Sequence, residues 1–233
     1  MKKSLLIGAI ALSGALSAQV NFGVKAGYNL SNLSVTSPAT SIQVLMGNKS
    51  GFNAGAVVEY GFGNNLSLQG EVAYNLLGGS ATIDVSKLPN NVAGKPIEDF
   101  ISDIKDIKKV EVGLSLHQIS VPISLKYKFN NFAVLGGANL NFIVGSNLKA
   151  KNNGTDVKHL MEKDMDTSID TIISENLSTA NLGLHIGAEY TFSNNIFLDT
   201  KYNFGLTSLN KNFTDLANLK QRYFQLGVGY KFK

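Results

Sequence analysis

Residues 20–30 read Val-Asn-Phe-Gly-Val-Lys-Ala-Gly-Tyr-Asn-Leu. Every even-numbered position of this stretch is apolar or aromatic, and every odd-numbered position is polar or glycine. Strict alternation places two sets of side chains on opposite faces of an extended chain. The stretch therefore predicts a β-strand with one apolar face and one polar face.

Seven further stretches alternate in the same way, which makes eight candidate strands. They lie at residues 52–62, 66–76, 119–129, 132–146, 181–192, 196–206 and 224–232. The stretch at 132–146 is the least regular because it carries apolar residues on both faces. Eight strands of this kind predict an all-β chain.

The connections between these strands alternate between short and long. The short ones are rich in Asn and Gly, which suit the left-handed backbone of tight hairpins, and lie at 63–65, 130–131 and 193–195. The long ones lie at about 31–50, 78–112, 147–179 and 208–221. All short turns and both chain termini then lie at one end. This plan predicts an eight-stranded antiparallel up-and-down β-barrel.

An alternating barrel places its apolar face outward toward lipid, or inward around a ligand as in a lipocalin. Aromatic residues near the strand ends, strands long enough to cross a bilayer and few charges on the polar face favour the membrane barrel. The lumen of an eight-stranded barrel is filled by side chains. We therefore predict a polar network in the lumen that contains Lys25, Glu59, Glu71, Lys126, Lys128, His185, Glu189, Asp199 and Lys201.

The composition excludes several classes of protein. Charged residues are 16% of the chain, against roughly 25% in an average soluble domain. The chain has no cysteine, which excludes a disulfide scaffold, a thiolate metal site and a cysteine nucleophile. The net charge is +4, but Arg222 is the single arginine and the lysines form no cluster in the sequence. We therefore expect no nucleic-acid binding and no cofactor.

Residues 1–18 predict a secretory signal peptide. Lys2 and Lys3 precede the apolar residues 4–15, and small residues stand before Gln19 at a plausible cleavage site. The apolar run is shorter than the roughly 20 residues of a membrane-spanning helix. We expect residues 19–233 to form one outer-membrane β-barrel domain.

The last strand carries a predicted insertion signal, formed by Gln225, Gly227, Tyr230 and Phe232. This order of a polar residue, a glycine and two aromatic residues resembles the C-terminal signal of outer-membrane barrels. In the usual pattern the last aromatic residue ends the chain, whereas here Lys233 follows it.

Together with residues 21–29, 119–127 and 202–206, this signal makes the chain resemble the PorT-type outer-membrane β-barrel family, near the small OmpA- and OmpX-like barrels. The resemblance implies a transmembrane barrel of a Gram-negative outer membrane, with four long external loops, three short periplasmic turns and both termini in the periplasm. It implies outer-membrane lipid and the barrel-insertion machinery as partners. Most family members have no assigned activity, and their description as porins is loose.

No catalytic residue is predicted. The histidines are His117, His159 and His185, and we expect His185 in the lumen near Glu189 and Lys201. A hydrolase or acyltransferase would need a serine, a histidine and an acid grouped together. No such grouping is evident from the spacing of the strands.

Two long loops carry further patterns. Residues 164–170 with Glu175 superficially resemble a calcium loop, but Ile169 stands where a glycine is needed, and no metal site is predicted. Apolar residues at helical spacing in residues 157–173 predict a short amphipathic helix. The isoleucines of loop 78–112 recur at helical spacing too, which suggests a helix that caps the barrel or contacts another protein.

The favoured hypothesis is a non-enzymatic outer-membrane barrel with an envelope-structural role or an interaction role through its long extracellular loops. An unknown extracellular protein or ligand would be its partner. One alternative is a narrow porin-like channel or solute transporter, with charges that line the lumen. Another is a soluble periplasmic lipocalin-like barrel that binds a ligand.

Overall fold

The computed structural model of the protein describes residues 20–36, 45–84, 91–92, 95–96, 109–159, 167–211 and 218–232. Most of these residues lie in eight long strands. They are β1 (Val20–Thr36), β2 (Lys49–Gly63), β3 (Leu66–Asp84), β4 (Lys109–Phe129), β5 (Phe132–Asn152), β6 (Ala180–Thr191), β7 (Ile196–Gly205) and β8 (Asn218–Phe232).

The eight strands form a closed ring. Each strand pairs antiparallel with the next strand in the chain, and β8 pairs with β1 from Phe22 opposite Phe232 to Thr36 opposite Asn218. A closed ring gives its strands hydrogen-bonding neighbours on both sides, as a bilayer requires. The prediction of an all-β, eight-stranded antiparallel up-and-down barrel is confirmed.

The three short turns have the backbone that their sequence predicts. Asn64 and Asn65 have φ of 50° and 67°, Asn130 has 54° and Asn195 has 64°. Asparagine tolerates this left-handed region better than most residues do. These turns mark the short-turn end of the barrel, where β1 begins and β8 ends.

The outward face of the ring is apolar over much of its height. Val24, Ile123, Ile186 and Leu226 are all about half-exposed. Aromatic rings contact each other near both borders of this face, in the pairs Tyr60–Phe62, Tyr127–Phe129, Tyr190–Phe192, Tyr230–Phe232, Phe52–Tyr74 and Tyr202–Phe204. A continuous apolar band with aromatic borders is the lipid-facing surface of a membrane barrel.

Five strands, β1, β3, β4, β5 and β8, extend at least six residues farther toward the long-loop end than the alternation predicted. β2 extends three residues farther. The predicted loop bounds were therefore wrong. On β4 the even-numbered side chains face the interior along the whole strand, but their polarity changes with height. In the outer part the inward side chains are apolar, as at Leu116, and the outward ones, Lys109 and Glu111, are charged and exposed. Above the lipid, water lies outside the wall, so the apolar side chains turn inward.

On β5 a β-bulge turns the apolar side chains from the outward face to the interior. Gln118 of β4 pairs with Ile143, but the next residue, His117, pairs with Gly145, so Val144 is an additional residue. One additional residue moves every following side chain to the other face. Leu148 is consequently buried, and Lys149 is exposed.

The long-loop end carries a few small elements. Short strands lie at Leu45–Gly47, Asn91–Val92, Lys95–Pro96 and Thr155–Asp156. Helix α1 covers Ile169–Asn176, with the extended Ser168 as its N-cap. The alternative of a short helix within 157–173 is met in part, because helix α1 begins at Ile169 and continues to Asn176. Ser168 is extended, and its side chain accepts a hydrogen bond from the amide of Thr171 at the helix N-terminus. The described residues include no helix long and apolar enough to cross a membrane.

Strands β6 and β7 are shorter than their neighbours, so the wall is lower there. Residues 176–179 and 206–211, which we call the strap, close this gap. The amide of Ser178 donates to the carbonyl of Leu209 at 2.6 Å, and the amide of Leu209 donates to that of Leu219 on β8 at 2.7 Å. Residues 1–19 and 97–108 lie outside the described residues, and with them the predicted signal peptide and the isoleucine pattern.

Candidate functional site

The lumen of the barrel holds two connected clusters of buried charges. The first, which we call the lower cluster, lies near the short turns and contains Glu59, Lys126, Glu189 and Lys231. Nζ of Lys126 lies 2.9 Å from Glu59 and 2.5 Å from Glu189. Nζ of Lys231 lies 3.1 Å and 2.5 Å from the same two carboxylates.

The upper cluster lies farther from the short turns and contains Lys25, Glu71, Asp199 and Lys201. Nζ of Lys25 lies 2.7 Å from Asp199 and 3.0 Å from Glu71, and Lys201 also pairs with Glu71. These four side chains are at most 2% exposed. Two cations and two anions make the cluster neutral, which buried charges require.

Gln69 connects the two clusters. Its amide nitrogen donates to Glu71 at 2.7 Å, and its carbonyl oxygen accepts from Lys126 at 3.1 Å. Lys128 pairs with Glu59 from the rim, where its side chain is 38% exposed. The charges of β1, β2, β3, β4, β6, β7 and β8 are thereby linked across the lumen.

Above the charges lies a layer of buried amide side chains. Asn53 donates to Asn29 at 2.7 Å, and Gln225 donates to Asn75 at 2.8 Å. Other amide pairs in the layer are Asn139–Asn203 and Asn141–Asn181. These amides carry no net charge, so the layer separates the charged clusters from the apolar interior beyond it. Their hydrogen bonding is incomplete, because one side-chain atom each of Asn53, Asn139, Asn141 and Asn181 has no partner among the described residues.

An apolar cluster fills the lumen at the long-loop end. Leu33, Leu116, Leu177 and Leu209 are buried there, and we call them the leucine plug. Leu33 and Leu116 come from the walls, whereas Leu177 and Leu209 come from the strap. Because these side chains pack without polar groups between them, the plug excludes water from this level of the lumen.

A cavity of about 310 Å³ lies at the opposite end of the lumen. Lys126, Lys128, Glu189 and Lys231 line it, together with residues of the short turns. Its inner wall is the lower cluster, whose ion pairs fill the lumen. The cavity is therefore a vestibule that ends at buried charges.

The sequence matches the family described as outer membrane protein beta-barrel domain over residues 15–211. The chain belongs to this family. Its membership places the protein in the outer membrane, which agrees with the apolar outward face of the ring. No curated protein matches the sequence.

Several solved structures are similar to this outer-membrane barrel. Neisserial surface protein A is 17% identical, with 91% of this chain and 97% of that chain covered and a TM-score of 0.46. The attachment invasion locus protein Ail of Yersinia pestis is 15% identical, with 92% and 99% covered and a TM-score of 0.42. OprG from Pseudomonas aeruginosa is 11% identical, with 92% and 96% covered and a TM-score of 0.40.

The barrel brings all nine residues of the proposed polar network to the lumen or its rim. Lys231, which the proposed network did not include, joins the lower cluster as an additional cation. The sequence carried a signal for it, since Lys231 has the same parity as Gln225 on the last strand. The leucine plug was missed because strict alternation in one sense was expected along the whole strand.

His185 pairs with Ser124 in the lumen, where their side chains lie 2.7 Å apart. Nδ1 of His185 has no hydrogen-bond partner among the described residues. A catalytic histidine needs an acid at that atom and access to a substrate. The pair is buried in a lumen that is filled by the side chains of the strands, where a substrate has no access. Its arrangement therefore suits a structural hydrogen bond.

The other histidines lie apart from this pair. His117 contacts Tyr74, with its Nδ1 2.5 Å from the hydroxyl oxygen, and His159 is exposed. Of the calcium-like pattern, Asp164 and Asp166 lie outside the described residues. Asp170 accepts from Lys158 at 2.7 Å, and no group of potential metal ligands occurs in the described part of the chain.

The residues of the insertion signal divide between the two faces of β8. Tyr230 and Phe232 are exposed on the outward face, and Gln225 lies in the amide layer. A Cβ on Gly227 would lie 2.2 Å from Oδ1 of Asp199, so glycine gives this buried carboxylate its space. Gly227 thus has a role in the packing of the lumen, in addition to its predicted role in the insertion signal.

Proposed function

We propose that this protein is a sealed, non-enzymatic outer-membrane barrel that holds its long loops outside the cell for an interaction or an envelope-structural role. The leucine plug carries this proposal. An open channel needs a continuous water-filled path, and the plug, the amide layer and the charged clusters fill successive levels of the lumen. The buried Ser124–His185 pair supports no reaction on an external substrate.

Helix α1 and the strap at the long-loop end are both bonded to the wall of the barrel. Helix α1 is held on β5 through Asp170, which accepts from the amide of Leu148 at 2.7 Å. The strap is bonded to β5 by the amide of Ile143, which donates to the carbonyl of Thr179 at 2.9 Å. Loops positioned by a rigid scaffold are a common location of binding function.

Conductance in planar bilayers tests the sealed lumen. We expect the wild-type protein to insert and to remain silent, because the plug excludes water. The double variant Leu33→Ser and Leu116→Ser should show rare small openings, and Leu68→Ile on the lipid-facing side is its control. Steady conductance of the wild-type protein would instead establish the narrow channel.

We further propose that the long-loop end is extracellular and that both termini are periplasmic, as in other barrels with this loop asymmetry. The chain has no cysteine, so single cysteines report topology cleanly. Thr155→Cys should react with an impermeant maleimide on intact cells. Asn194→Cys, at a short turn, should react only after the outer membrane is permeabilised. The reverse pattern would show the opposite orientation.

The interaction role has its own test. In cells that lack the protein, wild type is compared with a variant whose residues 85–108 are replaced by a short Asn-Gly turn. Loss of an adhesion or envelope phenotype with normal barrel levels would support a role of this loop. Full restoration by the shortened protein would exclude residues 85–108 from the interaction and would leave the role to the other three loops or to the structure of the barrel. The PorT-type branch and the signal peptide at 1–18 remain proposals that rest on the sequence motifs.

A further inference from the structure

Three lysines and two carboxylates form the inner wall of the vestibule at the short-turn end. The cations are Lys126, Lys128 and Lys231, and the anions are Glu59 and Glu189. Lys128 pairs with one oxygen of the Glu59 carboxylate, and Lys231 pairs with the other at 3.1 Å, so their two ammonium groups are neighbours. Among the described residues this group carries one excess positive charge, and the upper cluster, which is neutral, does not compensate it.

The three ammonium groups differ in how many of their donors are used. Lys126 donates to both carboxylates and to Gln69, so all three of its N–H groups have partners. Lys231 donates to both carboxylates, and Lys128 pairs with one. Nζ of Lys231 also lies 5.2 Å from the centre of the Phe197 ring, which is a weaker contact than a charged hydrogen bond. One donor of Lys231 and two of Lys128 therefore have no hydrogen-bond partner in the described part of the chain.

The vestibule gives a small molecule access to these donors. Lys128 and Lys231 line its volume of about 310 Å³. The side chain of Lys231 is only 13% exposed, so little water surrounds its charge. The side-chain amides of Asn131 and Asn195 line the same cavity and can donate as well. An excess positive charge with little hydration favours a bound anion.

We propose that the vestibule binds the carboxylate of a small organic acid, which bridges the ammonium groups of Lys128 and Lys231. Glu59 bridges the same two groups from the inner side. One further carboxylate gives three anions for three cations, whereas a dianion would exceed the missing charge. The acid enters from the short-turn end. The inference goes beyond the sealed-barrel function and does not depend on it.

NMR titration of the folded, isotope-labelled protein in non-ionic detergent tests this site. The probe is N-acetylglycine, and N-acetylglycinamide is its uncharged counterpart. The backbone amide resonances of Asn131 and Asn195 should shift with N-acetylglycine and reach saturation, because both residues line the vestibule. The uncharged amide should leave these resonances unchanged. Shifts that never saturate, or equal shifts with both compounds, would overturn the proposal.

Lys128→Gln should bind N-acetylglycine about tenfold more weakly, since it removes one charged hydrogen bond together with the excess charge. Lys128 lies at the rim, so this variant keeps the inner ion pairs. Lys220→Gln removes an exposed cation at the other end of the barrel and is the matched control, which should bind like the wild type. Equal losses in both variants would show attraction by net charge alone and would overturn the site.

Glu189→Gln tests the charge balance in the opposite direction. It raises the excess to two positive charges, so N-acetylglycine should bind more tightly than to the wild type. A mobility shift on boiling in SDS gels shows that each variant is folded, and Lys128→Gln decides alone if Glu189→Gln does not fold. Weaker binding by folded Glu189→Gln would overturn the proposal. Tighter binding of inorganic phosphate than of N-acetylglycine by the wild type would overturn the assignment to a carboxylate.

Discussion

Asp170 shows how one side chain positions an element outside the membrane. It accepts from Nζ of Lys158 at 2.7 Å, from the amide of Leu148 at 2.7 Å and from the side-chain amide of Asn147 at 3.2 Å. Burial alone would raise the pKa of this carboxyl, but these donors together hold the pKa below its usual range. Helix α1 is consequently held on β5 by an ionised group.

The contribution of Asp170 depends on pH in a defined direction. A lowered folded-state pKa means that the ionised group stabilises helix α1 above its unfolded pKa of about 3.9. This stabilisation is lost as the pH falls through the folded value. The NMR resonance of the Leu148 amide should therefore titrate with a midpoint below 3.9. In Asp170→Asn this titration should vanish, and a midpoint above 4 in the wild type would contradict the interpretation.

At the residue scale, sequence reasoning identified the carboxylate but not its partners. Asp170 belonged to a calcium-like pattern because spacing alone was visible. Leu148 lies on β5, and Lys158 lies between β5 and helix α1, so both reach Asp170 only in the folded chain. Contacts between separate elements have no signature in the local sequence.

At the scale of elements, Val144 is the residue on which the outer part of β5 depends. Without this additional residue, Lys149 and Lys151 would face the apolar interior, and Leu148 would face water. Burial of unpaired lysines is costly. The bulge therefore matches the strand to two different environments along its length.

Deletion of Val144 should release the outer part of β5 and helix α1. We expect trypsin to cleave at Lys149 or Lys151 at least on the order of tenfold faster, because local opening becomes easier. The mobility shift on boiling should persist, since the lipid-embedded part of the ring keeps its register. Val144→Ala, which keeps the bulge, is the matched control and should be cleaved like the wild type. Equal cleavage of all three proteins would refute the role of the bulge.

Across the whole molecule, the upper cluster connects strands that are distant in the sequence. Lys25 lies on β1, Glu71 lies on β3, and Asp199 and Lys201 lie on β7. Loss of one partner from a buried neutral cluster leaves an uncompensated charge, which typically costs about 3–5 kcal/mol. Removal of a single member should therefore destabilise a ring whose distant strands this cluster connects.

Lys25→Met should lower the free energy of unfolding by about 3–5 kcal/mol, because Asp199 then lacks its close cation. The double variant Lys25→Met and Asp199→Asn restores neutrality and should recover part of this loss. Urea unfolding in lipid vesicles, followed by tyrosine fluorescence and gel mobility, measures both. A double variant less stable than Lys25→Met would show that charge balance is not the cause.

The sequence by itself determined the period of the strands, the positions of the short turns and the polar lumen of the lipid-embedded part. These features depend on neighbouring residues, since alternation and turn chemistry are local. Only the tertiary structure decided that Lys231 joins Glu59 and Glu189, that the alternation reverses above the membrane, and that the strap supplies Leu177 and Leu209 to the plug. The physical reason is that each of these depends on strand register and on the surrounding solvent, which change with height along the barrel.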